Sequence, residues 1–365
     1  MKIKSKTIHM RKSKFFKFVV AMTFLAVFIK LLSYINIEDG LYTLANNEEL
    51  SGVVINSVLS KYEPDTSLSQ LIMSQSPLLT EKNDETHIVS YTPWKLQTRS
   101  ANTLPVKPLS VNPTSPKGYV TTGKIFLKNS SSKSIDLDWC LNSPLPFTVK
   151  DNGAQVLIVH THGSESYLPS ARDYYTPEDV DRTTDTRYNV VRVGDEIESI
   201  LKSKGISVIH DRNIYDSPTY SGSYTRALNS ITNYMKKNPS IRVILDIHRD
   251  SICSEDGTKY KTIASVNGKD CAQLMLVLST GESGLPHPNW QKNLIFGVKL
   301  QGQIANKYPG LMRPINLRRE RFNMHVTTGS LLVEVGSTGN TLEEALIAIR
   351  PFSEELAALL LSAKK

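Results

Sequence analysis

Cysteine is scarce in this chain, and the spacing of the few thiols defines no site. Cys140, Cys253 and Cys271 are the only cysteines in 365 residues. No two of them form a Cys-x-x-Cys pair, so the sequence predicts neither a thiolate zinc site nor a disulfide framework. We interpret the three residues as isolated small apolar side chains.

Several common catalytic signatures are also absent. The chain contains no Gly-x-Ser-x-Gly nucleophile turn and no Gly-x-x-x-x-Gly-Lys phosphate-binding loop, which argues against a serine hydrolase of that type and against a P-loop enzyme. His-Glu-x-x-His is missing too, so the chain is not a zinc protease with its ligands on one helix.

Acidic residues are missing from the beginning of the chain. Eight Lys and Arg residues, and no Asp or Glu, precede Glu38, whereas the formal net charge of the whole chain is +8. The remaining residues are therefore close to neutral overall. The basic character belongs to the N-terminal region, and we predict no nucleic-acid partner.

The first segment that stands out is apolar. Residues 15–36 follow a basic tail, 1–14, and about 20 apolar residues suit a hydrocarbon layer of roughly 30 Å. Lys17 and Lys30 lie near its ends, where long side chains can reach the interface. No small-x-small pair follows, which disfavours the alternative of a cleavable signal peptide. We predict a single-pass cell-membrane anchor with the rest of the chain outside the cytoplasm.

The part of the chain that we predict to be exported divides into three segments that differ in composition. Residues 37–117 are predicted to be an extracytoplasmic spacer that ends in a proline- and serine-rich linker, because five prolines occur between Thr92 and Lys117. Residues 118–150 carry short β-like pieces and form a lead-in segment. Residues 151–365 form the catalytic domain.

Short apolar runs alternate with amphipathic segments throughout residues 151–365. The predicted strands are Val156–Val159, Ile206–His210, Ile241–Ile247, Leu274–Leu278 and Ser330–Val335, and the predicted helices are Tyr188–Lys204, Tyr220–Lys236, Asn289–Tyr308 and Thr341–Ala363. This alternation predicts an α/β fold with a mostly parallel sheet flanked by helices. Sites in such folds form beyond the carboxyl ends of the strands.

Three of the predicted strands carry polar residues where packing would favour apolar ones. These residues are His160, His162 and Glu165 after the first strand, Asp246, His248 and Arg249 near the end of another, and Glu334 on the last. Each alone could be a capped or salt-bridged structural residue. Together at one sheet edge they predict a site.

The residue types suit a hydrolytic zinc centre. Such a centre needs three His or carboxylate ligands, a position open to water, and a separate general base. His162 and Glu165 are three residues apart and can face one ion, and His248 can supply the third ligand. Glu334 then remains as the base that takes a proton from the bound water.

Alternatives remain open within this set. His160 could replace His162 as a ligand, although it could equally support the site from behind. Asp185 could displace Glu165 as the carboxylate ligand. Arg249 and Arg321 are candidates for gripping a substrate carboxylate, since a guanidinium binds one through two hydrogen bonds, and exposed salt bridges are their simpler interpretation.

Several motifs resemble those of a known family, the stage II sporulation protein P family of endospore-forming Firmicutes. They are Val-Leu-Ile-Val-His-Thr-His-Gly-Ser-Glu-Ser-Tyr (156–167), Tyr-Asn-Val-Val-Arg-Val-Gly (188–194), Asp-Ile-His-Arg-Asp-Ser (246–251), Arg-Phe-Asn (321–323) and Leu-Leu-Val-Glu-Val-Gly-Ser-Thr-Gly-Asn-Thr-Leu-Glu-Glu-Ala (331–345). The resemblance extends from about residue 150 to the C-terminus.

The resemblance implies the fold of the cell-wall amidases, of the phosphorylase/hydrolase-like type, and a Zn²⁺-dependent enzyme acting on peptidoglycan. Such an enzyme cleaves the bond between N-acetylmuramic acid and L-alanine, and the family is also credited with cleavage of peptide cross-links. It implies action at the sporulation septum during engulfment, with stage II sporulation proteins D and M as partners.

By the same resemblance, His162 and His248 correspond to ligating histidines and Glu334 to the catalytic glutamate. The family comparison leaves the carboxylate ligand open between Glu165 and Asp185. One departure is visible, because Met324-His325 stands where Gln-Asp is expected after Arg-Phe-Asn. Two other hypotheses are kept: a zinc carboxypeptidase acting on wall peptides, and a non-catalytic wall-binding protein of the septum.

Overall fold

The computed structural model describes residues 103–150, 152–176 and 179–364. The predicted basic tail, the predicted anchor at 15–36 and most of the spacer lie outside these ranges. None of the helices within them is long and apolar enough to span a bilayer. All of the described residues belong to one compact unit.

The described part of the chain contains thirteen strands, five α-helices and one short 3₁₀ helix, Met324–Val326. The strands are β1 (Leu104–Leu109), β2 (Val120–Thr122), β3 (Ile125–Asn129), β4 (Val156–Val159), β5 (Tyr174–Tyr175), β6 (Val208–His210), β7 (Val243–Asp250), β8 (Lys259–Thr262), β9 (Ala264–Val266), β10 (Lys269–Cys271), β11 (Leu274–Ser279), β12 (Ile315–Arg318) and β13 (Gly329–Ser337). The helices are α1 (Leu137–Asn142), α2 (Val190–Ser203), α3 (Ser223–Lys237), α4 (Trp290–Lys307) and α5 (Leu342–Ser362).

Eight strands form the main sheet, in the order β2-β3-β12-β11-β13-β7-β4-β6. Five of its seven neighbouring pairs are parallel, and the β2/β3 and β11/β13 pairs are antiparallel. The mostly parallel α/β sheet predicted from the sequence is therefore confirmed. Strands β4, β7 and β11 are buried at every position, as expected of sheet strands covered on both faces.

The direction of the strands decides where a site can form. Strand β7 lies between β4 and β13 and runs parallel to both. The carboxyl ends of the three strands therefore lie at one edge of the sheet. The register places Val159 beside Asp246 and Glu334 beside His248. Three separate stretches of polar sequence are thus brought to the same edge.

The strand β1 differs from the sequence prediction, which placed its residues in an extended linker. It pairs in parallel with β8 and in antiparallel with β5, and Val106 is buried within this small sheet. The amide of Val106 donates to the carbonyl of Asp173 at 2.7 Å. Proline favours extended backbone in the residue before it, which suits a short strand as well as a linker, so the composition alone could not separate the two.

The predicted lead-in segment is likewise part of the domain. Strands β2 and β3 form one edge of the main sheet, and β3 pairs in parallel with β12. The side chains of Ile125 and Leu127 belong to the central hydrophobic core. The boundary predicted at residue 150 consequently does not separate two structural units.

Candidate metal centre

The loop that follows β4 is held in place by hydrogen bonds to its neighbours. The amide and the hydroxyl of Thr161 donate to Asp246 at 2.8 and 2.6 Å. The amide and the hydroxyl of Ser164 donate to Asp216 at 3.1 and 2.6 Å. The amide of Glu165 closes a turn onto the carbonyl of His162 at 3.1 Å. Both His162 and Glu165 are therefore fixed above the ends of β4 and β7.

The structure brings the three predicted ligands together. Nδ1 of His248 lies 3.5 Å from Oε2 of Glu165, and the ring centroids of His162 and His248 are 5.3 Å apart at 84°. All three residues are buried. Nε2 of His248 lies 2.9 Å from Oδ1 of Asp246. A carboxylate beside the second nitrogen is common at metal-ligating histidines, so the residue types of this donor set suit a divalent metal such as zinc.

The protonation states of two of these groups also suit a metal. Burial lowers the pKa of His162 to about 4, so its ring is neutral at neutral pH. Burial alone would raise the pKa of Glu165, but its hydrogen bond and its attraction to His248 lower it to about 2. Burial likewise opposes the charge of His248, yet the carboxylates of Asp246 and Glu165 raise its pKa well above the usual value. A metal ion would have to displace that proton.

The carboxyl group of Glu334 is placed beside these residues but is not bound by them. The residue is partly exposed, whereas its Oε2 atom is enclosed and has no hydrogen-bond partner among the described residues. Burial, and then the negative charge of Asp250, raise the pKa of Glu334 to about 8. A carboxyl group with a free oxygen and a pKa near neutrality can both accept and donate a proton.

The two alternative ligands lie in different surroundings. Both ring nitrogens of His160 are engaged, Nδ1 with the carbonyl of Ile247 at 3.2 Å and Nε2 with Nε2 of His210 at 2.8 Å. The carboxylate of Asp185 is partly exposed and pairs with the guanidinium of Arg187 through several hydrogen bonds. The arrangement favours Glu165 over Asp185, since Glu165 lies beside His248 whereas Asp185 pairs with Arg187.

The guanidinium of Arg249 is buried and joins two backbone segments. Nη2 donates to the carbonyl of Asp181 at 2.7 Å, and Nη1 donates to the carbonyl of Asp250 at 3.2 Å. The amide of Arg249 donates to Oε2 of Glu165 at 3.0 Å. These contacts hold a loop against β7 and orient the Glu165 carboxylate. A role of the Arg249 guanidinium in gripping substrate stays a prediction.

Two residues that the sequence did not single out, Arg182 and Tyr220, lie over His162 and Glu165. The ring of Tyr220 stacks on His162 with centroids 4.4 Å apart, and its hydroxyl lies 3.1 Å from Nε2 of His162. The guanidinium of Arg182 lies 4.9 Å from the Tyr220 ring and pairs with Asp216. These residues come from loops without periodicity, so no local pattern marked them.

The Arg-Phe-Asn stretch at 321–323 also reaches this region. Phe322 and Asn323 have φ of 45° and 57°, a backbone conformation rare outside glycine, and the Asn323 side chain donates to the carbonyl of Tyr224 at 2.7 Å. The ring of Tyr224 contacts His162 edge-on at 5.5 Å. This stretch therefore supports the site through Tyr224.

A second group of potential ligands lies close to the first. Within the described ranges, Asp195, Glu198 and His210 are the group whose ligand atoms all lie within 4.8 Å of one another, a spacing that His162, Glu165 and His248 do not meet. The interaction between the rings of His160 and His210 connects the two groups.

Fold and site together define an α/β protein with a histidine–carboxylate cluster at the carboxyl ends of its parallel strands. The family model described as Stage II sporulation protein P matches residues 64–357, which is most of the chain. The chain belongs to this family.

A curated relative with a similar sequence agrees with that assignment. Stage II sporulation protein P of Bacillus subtilis (strain 168) is 28% identical over 221 residues, which are 58% of this chain and 52% of that protein. The chain thus matches about half the length of this curated relative.

Solved structures of amidases are similar at a coarse level. The N-acetylmuramoyl-L-alanine amidase AmiC2 of Nostoc punctiforme is 14% identical, with 57% of this chain and 96% of that chain covered and a TM-score of 0.33. Ami1 from Mycobacterium smegmatis is 14% identical, with 58% and 99% covered and a TM-score of 0.35. At TM-scores this low, the similarity supports no conclusion about activity.

Proposed function

We propose that this protein is a zinc-dependent peptidoglycan hydrolase that cleaves the N-acetylmuramoyl-L-alanine amide bond during septal thinning and engulfment. The observation that carries the proposal is the Glu334 carboxyl group beside a His162–Glu165–His248 donor set: its pKa is raised, and its Oε2 atom has no hydrogen-bond partner within the described ranges. Membership of the stage II sporulation protein P family supports the substrate class.

In this proposal His162, Glu165 and His248 would hold the metal. Zinc supplies Lewis acidity when bound and lowers the pKa of a bound water to about 7. Asp246 keeps the His248 ring oriented through Nε2. His162, Glu165 and His248 are buried, and burial strengthens the charge interactions between them.

The proposed step for Glu334 is proton transfer. The pKa of Glu334 is about 8 without a metal, and a cation held by these ligands would favour the ionised carboxylate. Its Oε2 atom then accepts the proton of the attacking water and passes it to the leaving amine of the alanine. Both transfers require a group that is not itself a metal ligand.

The first prediction concerns the activity of this group. Glu334→Gln should keep the bound zinc and lose hydrolysis by about 10²–10⁴-fold, because an amide cannot accept the proton. The measurement is mass analysis of muropeptides after incubating intact sacculi with the full chain and zinc. Glu355→Gln, a buried glutamate on α5 that pairs with Lys307, is the matched control and should remain active.

Each outcome of this experiment is informative. Cleavage at the lactyl–alanine bond supports the amidase, whereas loss of terminal residues from the peptides alone indicates a carboxypeptidase. An unchanged muropeptide profile with zinc present contradicts both hydrolases and leaves the non-catalytic wall-binding protein. Near-normal turnover of Glu334→Gln would remove this residue from the mechanism.

The location and partners of the enzyme are further parts of the proposal. Residues 15–36 would anchor it as a single-pass protein of the cell membrane, with the catalytic domain outside the cytoplasm at the sporulation septum. The length and apolar character of this segment support the anchor. Stage II sporulation proteins D and M are the proposed partners, on the basis of family membership.

A further inference from the structure

A cluster on α2 and β6 has no part in the proposed hydrolysis. Asp195 and Glu198 are three residues apart on α2, so they face the same way, and His210 is the last residue of β6. Nδ1 of His210 lies 3.3 Å from Oδ1 of Asp195 and 3.4 Å from Oε2 of Glu198. The His210 side chain is completely buried, and its Nδ1 atom has no hydrogen-bond partner among the described residues.

The hydrogen bonds that join His210 to His160 and His160 to Ile247 determine whether Nδ1 of His210 carries a hydrogen atom. The carbonyl of Ile247 can only accept, so Nδ1 of His160 must donate to it. Nε2 of a neutral His160 is then an acceptor, and Nε2 of His210 must donate to it across 2.8 Å. A neutral His210 is therefore left with a lone pair at Nδ1, aimed at two carboxylates.

The geometry places a buried ring nitrogen beside two carboxylate oxygens. Nδ1 of His210 has no hydrogen-bond partner among the described residues, although an oxygen of each carboxylate lies within 3.4 Å of it. A buried polar atom without a partner is unfavourable, and a cation bound by the three ligand atoms would satisfy it.

We propose that Asp195, Glu198 and His210 form a second divalent-cation site, separate from the catalytic centre and of the zinc type. One imidazole nitrogen and two carboxylate oxygens form a donor set that zinc accepts. Ligands about 2.0–2.1 Å from a tetrahedral ion lie about 3.3–3.4 Å from one another. The two distances from His210 to the carboxylates match that edge length.

The guanidinium of Arg212 competes with a cation at this place. Its Nη2 atom lies 2.7 Å from Asp195 and 2.5 Å from Glu198. The side chain is half exposed, so it can turn outward into solvent when an ion enters. The hydrogen bonds that Arg212 donates go to the two carboxylates, and Lys202 pairs with the other oxygen of Glu198. Among the described residues, Nδ1 of His210 therefore keeps no hydrogen-bond partner.

The test is the number of zinc ions bound by the full chain after the metal is stripped and Zn²⁺ is returned by equilibrium dialysis. The wild-type protein should bind two ions. Asp195→Asn/Glu198→Gln should bind one, and so should His162→Ala, which leaves the second site intact. Glu196→Gln is the matched control: this carboxylate lies on the same helix but pairs with Arg192 and Arg350, so the number should stay at two.

A fourth variant keeps the test valid should the double variant fail to fold. Arg212→Met removes the competing charge from an exposed side chain and should tighten zinc binding by about tenfold, or about 1.4 kcal/mol. Weaker absorption of tetrahedral Co²⁺ in Asp195→Asn/Glu198→Gln than in the wild type would support the coordination.

The results separate this site from the catalytic one. One ion that is lost in Asp195→Asn/Glu198→Gln and kept in His162→Ala would support the second site and contradict zinc at the first. An unchanged ion number in Asp195→Asn/Glu198→Gln, or unchanged affinity in Arg212→Met, would overturn the second site without affecting the first.

Discussion

At the scale of single residues, the site contains groups whose charge depends on one another. Glu165 is held ionised by His248, and His248 is held protonated by Asp246 and Glu165. Glu334 is affected by the same groups, since His248 lowers its pKa and Glu165 raises it, and its enclosed Oε2 atom has no hydrogen-bond partner among the described residues. Enzymes concentrate such perturbed groups where protons are moved.

The raised pKa of Glu334 predicts a particular dependence of stability on pH. Its ordinary pKa is 4.5 and its pKa in the folded protein is about 8, so between these values the folded state holds a proton that the unfolded chain has released. The associated stabilisation is fully present below the lower value and is lost as the pH rises to the upper one. The free energy of unfolding should fall by up to about 1.4 kcal/mol per pH unit from this group.

Denaturant unfolding with a chelator present measures this effect. The wild-type curve should fall more steeply than that of Glu334→Gln between about pH 5 and about pH 8, because glutamine does not titrate. All other groups are common to both proteins. Parallel curves would show that the Glu334 carboxyl group titrates as it does in the unfolded chain.

A second residue-scale prediction concerns the carboxylate ligand. Glu165→Gln should weaken zinc binding by at least about 100-fold, whereas Asp185→Asn should change it only slightly, because Glu165 lies beside His248 and Asp185 pairs with Arg187. Competition with a chromophoric chelator gives both affinities. The reverse order would assign the ligand to Asp185 and require the loop at 182–189 to move toward His248.

At the scale of elements, strands with a continuous apolar run could be predicted and strands without one could not. The strands β4, β7 and β13 contain runs of three or four apolar residues, Val-Leu-Ile-Val, Val-Ile-Leu and Leu-Leu-Val, so their positions were clear from the sequence. The strand β12 reads Ile-Asn-Leu-Arg and β5 is two residues long, so neither has a distinctive pattern. These elements form only because neighbouring strands offer them partners.

The same limit explains which parts of the site could be predicted. His162, His248 and Glu334 stand at the ends of recognisable strands, where polar residues are conspicuous. Asp216 and Tyr220 lie in a loop with no period, and their closeness to His162 depends on tertiary packing. Sequence reasoning therefore identified the candidate ligands and missed the residues that cover them.

The strand β1 supplies an element-scale prediction. Val106→Ala should lower the free energy of unfolding by about 1–3 kcal/mol, because this side chain is buried between β5 and β8. Lys107→Ala is the neighbouring control and should change stability by less than about 0.5 kcal/mol, because Lys107 is exposed. Urea unfolding of the two variants compares them. If both substitutions change the free energy of unfolding equally and negligibly, Leu104–Leu109 acts as a linker and not as a strand of the domain.

At the scale of the whole molecule, the direction of the strands separates two regions. Strands β4, β7 and β13 end at the edge that holds the candidate metal centre. Strand β11 is antiparallel to β13, so β11 and its parallel neighbour β12 end at the opposite edge. Polar residues for chemistry are therefore collected on one side of the sheet.

The proposed anchor predicts where the whole molecule is found. The full chain should remain in the membrane pellet after alkaline carbonate extraction, and a chain that starts at residue 38 should be released. The reason is that residues 15–36 supply enough apolar length to cross the bilayer. Release of the full chain would contradict the anchor, and an N-terminus that begins after residue 36 in the mature protein would indicate a cleaved signal peptide.

The pairing of β1 with β5 and β8 limits the distance over which one anchored molecule can reach the cell wall. Because Leu104 is already paired with Tyr175, residues 37–103 are the most that can separate the proposed anchor from the domain. Residues 37–103 can span at most about 240 Å even when fully extended. A single enzyme would therefore work within a fixed radius of its anchor, and clearing a larger area of septum would require the anchor itself to diffuse.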